Sequence, residues 1–335
     1  MTMRRTFPLM LLAPAGCTGI QSMTGAAGRQ GALFVDLFHV FLTVTVIVYL
    51  IVLAFLAHAL LRRGGKSRDG SEDEGESREA PLRSALVVWV GVTALILGAL
   101  SVASWFTDRD QAESSNAAVT DVEIIANQYW WDVRYQNSDA SRIIHTANEL
   151  HLPVGAPVRI TLKSNDVIHS FWVPNLAGKQ DLIPGRTNSI EIRPLIAGRY
   201  RGQCAEFCGI QHAHMALDVV VEPPAAFAAW QQAQALIPPQ PSSPQTQAGL
   251  AVFTGRQCAS CHTIAGTPAS GQAAPDLSHI ASRAWIGAGA LPMTRANLSA
   301  WIADPQAAKP GNNMPAIPLS PAELNAVTAY LETLR

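Results

Sequence analysis

Two long apolar runs and one alternating stretch organise the chain. From Leu33 to Leu61 nearly every position is apolar, and a second such run covers Ser84 to Trp105. As helices rising ~1.5 Å per residue, both reach across the ~30 Å hydrocarbon core of a bilayer. The pattern predicts a transmembrane hairpin over residues 33–106. Asp36, His39 and His58 fall near the ends of the first run, and Trp105 closes the second at an interface. The intervening segment 62–83, RRGGKSRDGSEDEGESREAPLR, reads as a solvated, flexible loop. Arg62, Arg63, Lys66, Arg68 and Arg83 flank the spans, so the positive-inside tendency puts the loop in the cytoplasm and both termini outside.

From residue 119 to 222 the period changes to two. Val158, Ile160 and Leu162 alternate, as do Ile190 and Ile192, and Leu217, Val219 and Val221. Gly155, Pro157, Pro184, Gly185 and Gly198 break the runs. Short strands separated by turns predict an all-β sandwich. The segment 223–247, PPAAFAAWQQAQALIPPQPSSPQTQ, is a linker, helical around Phe227–Leu236 and a semi-rigid tether beyond it. Residues 248–335 return to helical periodicity, notably Arg295–Ala303 and Pro321–Leu334.

Composition adds two constraints. The formal net charge of -1 leaves no basic footprint for nucleic acid. All five cysteines (Cys17, Cys204, Cys208, Cys258, Cys261) fall inside short motifs, so none is left over for a disulfide framework. At the N-terminus, Arg4 and Arg5 precede a short apolar run and small residues, which predicts a signal sequence over 1–16. Cleavage within PAGC would leave Cys17 lipid-modified at the head of an outer segment 17–32; plain cleavage or retention are the alternatives.

The densest chemistry is Gly202–Met215, GQCAEFCGIQHAHM, which packs Cys204, Glu206, Cys208, His212 and Met215 together. Thiolates, imidazole and a weak thioether suit electron-transfer copper, not hydrolytic zinc. A second imidazole is needed, and His169 in VIHSFWVP is the candidate. These residues resemble subunit II of the haem–copper cytochrome c oxidases. The resemblance implies a cupredoxin-like sandwich whose Cys204 and Cys208 bridge the two coppers of a CuA centre. His169 and His212 would cap one copper each, with Met215 and the Glu206 carbonyl as weak ligands. The Glu206 side chain would face a magnesium ion shared with subunit I. QYWWDVRY (Gln128–Tyr135) resembles the family's aromatic stretch, but Tyr129 stands where Trp is usual, followed by Trp130 and Trp131. Each ring is a relay candidate, and core packing is the alternative reading. Members usually carry a Glu just before the second span; here Arg83 and Ser84 stand there, with Glu79 slightly earlier.

Beyond the linker, Cys258-Ala-Ser-Cys261-His262 is the C-x-x-C-H of covalent haem c attachment, with His262 reaching the iron. The segment resembles an all-α class I cytochrome c, which implies Met314 in KPGNNMP as the other axial ligand and a Pro275 carbonyl behind His262. Met293 is the competing thioether, explained by core packing. Met/His ligation raises the haem potential.

The combined resemblance is to a caa3-type subunit II, which implies electron transfer from haem c to CuA and on to haem a of subunit I. Oxygen reduction and proton pumping would belong to that partner. This chain would contribute no catalytic acid, base or nucleophile. The implied setting is a bacterial inner membrane with both cofactor domains on the periplasmic face. Subunit III and an outer-face donor such as cytochrome c complete the expected partners. The alternative is a membrane-tethered haem–copper shuttle without a fixed oxidase; a hairpin, where a single anchor would suffice, favours the fixed partner.

Overall fold

The computed structural model describes residues 19–63, 76–112, 120–139 and 143–335. The signal-sequence stretch, Cys17 and the Glu79 side chain lie outside what it describes.

Two helices, α1 (Arg29–Arg63) and α2 (Glu76–Ala112), carry the stretches long and apolar enough to cross a membrane, Arg29–Arg62 and Pro81–Gln111. Leu50, Phe55, Val87 and Leu95 are exposed on them, as befits surface meant for lipid. Hydroxyls along α2 bond back to the preceding turn (Thr93 to the Trp89 carbonyl, 2.9 Å; Ser101 to the Leu97 carbonyl, 2.8 Å), so they carry no unmet polarity into the apolar face. Both helices outrun the expected spans. α2 starts at Glu76, inside the stretch read as loop, and ends beyond Phe106. Hydropathy marks the membrane-crossing part, whereas backbone hydrogen bonding continues into polar turns.

The sandwich contains β1 (Thr120–Asn127), β2 (Trp130–Tyr135), β3 (Ile144–Ala147), β4 (Glu149–Pro153), β5 (Val158–Ser164), β6 (His169–Trp172), β7 (Gln180–Leu182), β8 (Asn188–Ile192), β9 (Gly198–Cys204) and β10 (Ala216–Glu222). They form two five-stranded sheets, in the orders β3-β2-β1-β5-β8 and β4-β10-β9-β6-β7. The alternation is realised in packing: Val158, Ile160, Leu162, Leu217, Val219 and Val221 are all buried between the sheets. The segment ahead of α1 belongs to this unit, with the Ala27 N–H on the Asn175 carbonyl at 2.6 Å.

The stretch read as a linker divides between its neighbours. Within α3 (Pro224–Gln234), Phe227 joins the sandwich core and Trp230 stacks on His151 at 4.1 Å. The next helix, α4 (Pro244–Gly255), starts upstream of residue 248 because Ser243 and Thr246 close a capping box around its first turn. The helical domain continues with α5 (Cys258–Cys261), the small pair β11 (Trp285–Ile286) and β12 (Leu291–Pro292), α6 (Arg295–Ala303), α7 (Pro305–Ala308) and α8 (Pro321–Leu331). Phe253, Ile264, Leu298, Ile302, Val327 and Tyr330 form its core. Glu323 caps α8 through Ser320 and pairs with Arg256 at the end of α4.

α4 and α8 cross at Gly249, where a Cβ would lie 2.2 Å from the Ala326 carbonyl oxygen and 2.6 Å from the Tyr330 Cβ. Backbone there cannot yield as a flexible side chain would. Gly249→Ala is expected to destabilise the helical domain by about 1–3 kcal/mol, read as a lower thermal midpoint by circular dichroism. An unchanged midpoint would mean that the crossing tolerates separation.

Candidate metal centres

The copper candidates converge because one hydrogen bond closes the loop that bears them. β9 ends at Cys204 and β10 begins at Ala216, and the Cys204 N–H donates to the Met215 carbonyl at 3.0 Å. Residues 205–215 therefore leave and rejoin the sheet at one point. On the other side β9 pairs with β6, Cys204 opposite Phe171, and the Ala205 N–H reaches the Ser170 carbonyl at 3.0 Å. That register brings His169 beside Cys204. His169 is the first residue of β6 and fully buried.

Each sulfur has its own imidazole. Cys204 Sγ lies 3.7 Å from His169 Nδ1, and Cys208 Sγ lies 3.7 Å from His212 Nδ1. The two sulfurs are 3.8 Å apart, far beyond the ~2.05 Å of a disulfide. Weak donors complete the set: the Glu206 carbonyl 3.2 Å from Cys204 Sγ and Met215 Sδ 3.9 Å from Cys208 Sγ. Both thiols are buried. Hydrogen bonding from Cys208, aided by His169 and nearby backbone, holds the Cys204 thiol down to about 3 in spite of burial, while the same pairing and burial push Cys208 up. Two thiolates side by side repel unless a cation lies beside them. Soft sulfur, imidazole and a dry pocket fit a copper pair.

Three supporting groups were not singled out from the sequence. Asp166 Oδ1 lies 2.8 Å from His169 Nε2, leaving Nδ1 turned toward the sulfurs. Burial works against it, yet the bonds to Asp166 and Cys204 raise the His169 pKa. The carboxylate also accepts the Gln128 N–H at 2.6 Å. Gln128 in turn donates from Nε2 to the Cys208 carbonyl at 2.6 Å. Lys309, from the helical domain, is buried with Nζ donating to the Tyr129 carbonyl at 2.8 Å and to the Gly287 carbonyl at 3.0 Å; burial lowers its pKa to about 7. A carboxylate three residues before a candidate ligand His was a readable signal. Lys309 had none, since its contacts come from residues far away in sequence.

The aromatic candidates part company. Trp131 is buried and meets His169 edge-on with ring centroids 6.2 Å apart. Tyr129 is buried, its hydroxyl filling the space a Cβ on Gly209 (φ +126°) would need. Trp130, on the opposite face of β2 from Trp131, is half-buried. His151 pairs with Glu222 at 2.8 Å, and His214 Nδ1 meets Gln211 Oε1 at 2.8 Å, both away from the sulfurs.

In the helical domain, α5 carries Cys258 half-buried and Cys261 exposed. His262 Nδ1 lies 2.7 Å from the Pro275 carbonyl, which can only accept, so the proton sits on Nδ1 and the Nε2 lone pair is free for iron. Burial lowers the His262 pKa, keeping the ring neutral. Gly271 lets the chain approach α5, where a Cβ would come 2.4 Å from Ser260 backbone atoms. Met314 is half-buried on a loop pinned at both of its backbone groups, N–H to Asn312 Oδ1 (2.8 Å) and carbonyl to Gln306 Nε2 (3.0 Å). Met293 packs on the domain core. The donor set fits a covalently held haem.

Known families agree with this division. A profile for the periplasmic domain of cytochrome c oxidase subunit II matches residues 105–223, and one for cytochrome c matches residues 246–335. Cytochrome c oxidase subunit 2 of Alkalihalophilus pseudofirmus is 30% identical over 345 residues, spanning 100% of this chain and 98% of its own. The chain belongs to the cytochrome c oxidase subunit 2 family. The subunit 2 of a Bacillus species is also 30% identical, over 81% of this chain and 80% of its own. A solved periplasmic domain of subunit II from Bradyrhizobium japonicum is 28% identical, with a TM-score of 0.32, covering 34% of this chain and 92% of that one. As a subunit 2 with a fused cytochrome c domain, the chain is a membrane-anchored electron-transfer subunit of a terminal oxidase. Its domains imply CuA and haem c as cofactors, and its partner is subunit I.

Asp166→Asn keeps the size of the group behind His169 but removes its charge. Copper affinity is expected to fall ~10–100-fold, measured by chelator competition with total haem as the internal control. Unaltered affinity would show that the carboxylate does not support the ligand.

Proposed function

We propose that this subunit receives electrons at haem c and delivers them through CuA to haem a in subunit I. The observation that carries the reading is the symmetric donor set, two sulfurs 3.8 Å apart with an imidazole Nδ1 3.7 Å from each. Cys204 and Cys208 would bridge the coppers. His169 and His212 would serve one copper each, with Met215 and the Glu206 carbonyl as weak donors. Cys258 and Cys261 would hold haem c by thioethers, with His262 and Met314 as axial ligands. When bound, both groups supply one-electron redox chemistry. The residues hold geometry: strands β6 and β9 fix His169 and Cys204, Asp166 and Pro275 fix the imidazoles, and buried Tyr129 and Trp131 help exclude water. Rigid donors change little between redox states, which favours fast transfer. Of the aromatic relay candidates, Tyr129 has the best-supported position, its ring against the copper loop and its carbonyl on Lys309.

The finer assignments follow the same reading. The half-buried Glu206 side chain would bind magnesium together with subunit I. The arginine-flanked segment between the helices would face the cytoplasm, leaving both cofactor domains periplasmic on a bacterial inner membrane. Subunit III would join the complex, and cytochrome c or a similar donor would supply electrons. The division would be an outer segment 17–32, hairpin 33–106, a copper domain from 119 that takes in α3, and a haem domain that begins with α4 at Pro244.

Purification in mild detergent tests the assembly. Copper, c haem and a-type haem bands from a co-purifying polytopic subunit are expected; a monodisperse chain with copper and c haem alone would instead make it a shuttle. Cys208→Ser is expected to abolish the copper absorption while leaving c haem intact and reducible. Retention of the full copper content would remove Cys208 from the ligand set.

A further inference from the structure

The two cofactor domains meet through a short segment, and its contacts lead from one candidate centre to the other. Lys309 passes into the sandwich to the Tyr129 carbonyl, and Gln211 Nε2 donates to the Pro310 carbonyl at 2.7 Å. Gly311 sits against Ile210, so close that a Cβ would meet Ile210 Cδ1 at 2.1 Å. Asn313, next to Met314 in the chain, donates from Nδ2 to the Gln128 carbonyl at 2.9 Å. A buried pair elsewhere in the junction, Arg283 Nε 3.8 Å from Glu149 Oε1, and the Ala216 N–H on the Ala288 carbonyl at 3.0 Å hold the same docking pose.

Gln128 is where these contacts branch. Its carbonyl takes the Asn313 bond from the haem domain. Its side-chain Nε2 donates to the Cys208 carbonyl at 2.6 Å, and its backbone N–H donates to Asp166 at 2.6 Å, whose other oxygen lies 2.8 Å from His169 Nε2. One residue thus touches a group on Cys208 and, through one carboxylate, the imidazole beside Cys204. Core packing does not call for this: Gln128 is half-buried, Asn313 is exposed, and both sit at the domain junction.

We propose that Asn313 and Gln128 form a hydrogen-bonded bridge that carries electrons from the Met314 side of haem c to both halves of the copper centre. The inference rests on the ligand assignments proposed above. Each passage moves one electron, oxidising the haem iron from Fe(II) to Fe(III) and reducing the copper pair by one. No bond forms or breaks, and neither bridge residue changes redox state. Lys309 and Gln211 are positioning residues that keep Asn313 over Gln128. Because the haem domain is the one seated on Gln128 and Tyr129, a soluble donor would reach the bridge by way of haem c.

The test uses the full chain in its purified complex, with Asn313→Leu and Gln128→Met, which preserve side-chain size and remove the donors. Haem c is reduced photochemically and the arrival of the electron on copper is followed optically. Reduction potentials, copper and haem spectra, and the haem–copper distance by pulsed electron paramagnetic resonance are recorded alongside. The expected result is slower transfer in each single variant, with potentials, spectra and distance unchanged in Asn313→Leu. The double variant should be no slower than the slower single one, since links in series are severed once. Unchanged rates in both single variants overturn the bridge, as does slowing that multiplies in the double variant. Slowing accompanied by a changed distance or potential in Asn313→Leu also overturns it, because Asn313 would then only position the domain. The ligand reading fails by a separate sign: wild-type haem absorption in Met314→Leu.

Discussion

The hydrogen bond between the Cys204 N–H and the Met215 carbonyl is the constraint on which the copper site depends. It forces an eleven-residue excursion to begin and end at a single rung between β9 and β10. With those ends fixed, Gly209 turns with positive φ, Tyr129 fills the space beside it, and a short 3-10 turn at His212–His214 brings the His212 ring back to Cys208. The sheet then supplies His169 from the neighbouring strand. Cys204 and His169 stand on neighbouring strands of one hydrogen-bonded ladder and cannot drift apart without breaking it.

The helical domain applies a different logic. Its framework is the α4–α8 crossing, tight enough to require glycine at position 249, while the candidate haem ligands lie on the short α5 and on loops. Those loops are held by local polar contacts: Pro275 behind His262, and Asn312 and Gln306 around Met314. The rigid crossing supports the domain, and the pinned loops carry the candidate ligands. Buried charge then joins this domain to the sandwich. Lys309 and Arg283 lose hydration on burial, and each is met by carbonyls or a carboxylate instead of water. A buried charge tolerates few alternative positions, which makes the docking specific even where it adds little stability.

Much of this was legible in the residues. Hydropathy marked both membrane helices, strict alternation marked the strands that became the sandwich core, and donor spacing pointed to the residues from which His169, Cys204 and Cys208 come together. The misplacements are instructive. Helix α2 runs into the stretch read as loop because a helix does not end where apolarity ends. Residues 223–247 proved to belong partly to their neighbours, because Phe227 and Trp230 find a sandwich face and Ser243 caps α4.

What the sequence determined by itself was the kind of chemistry, since donor type and local spacing are written in consecutive residues. Which side chains support that chemistry was decided only by the fold. Asp166 matters through its 2.8 Å contact with His169, Gln128 through its contact with Cys208, and Asn313 and Lys309 through partners about 180 positions away. No local pattern records such pairs, because hydrogen bonds act over ångströms in space and the chain sets their separation only after both domains have folded and met.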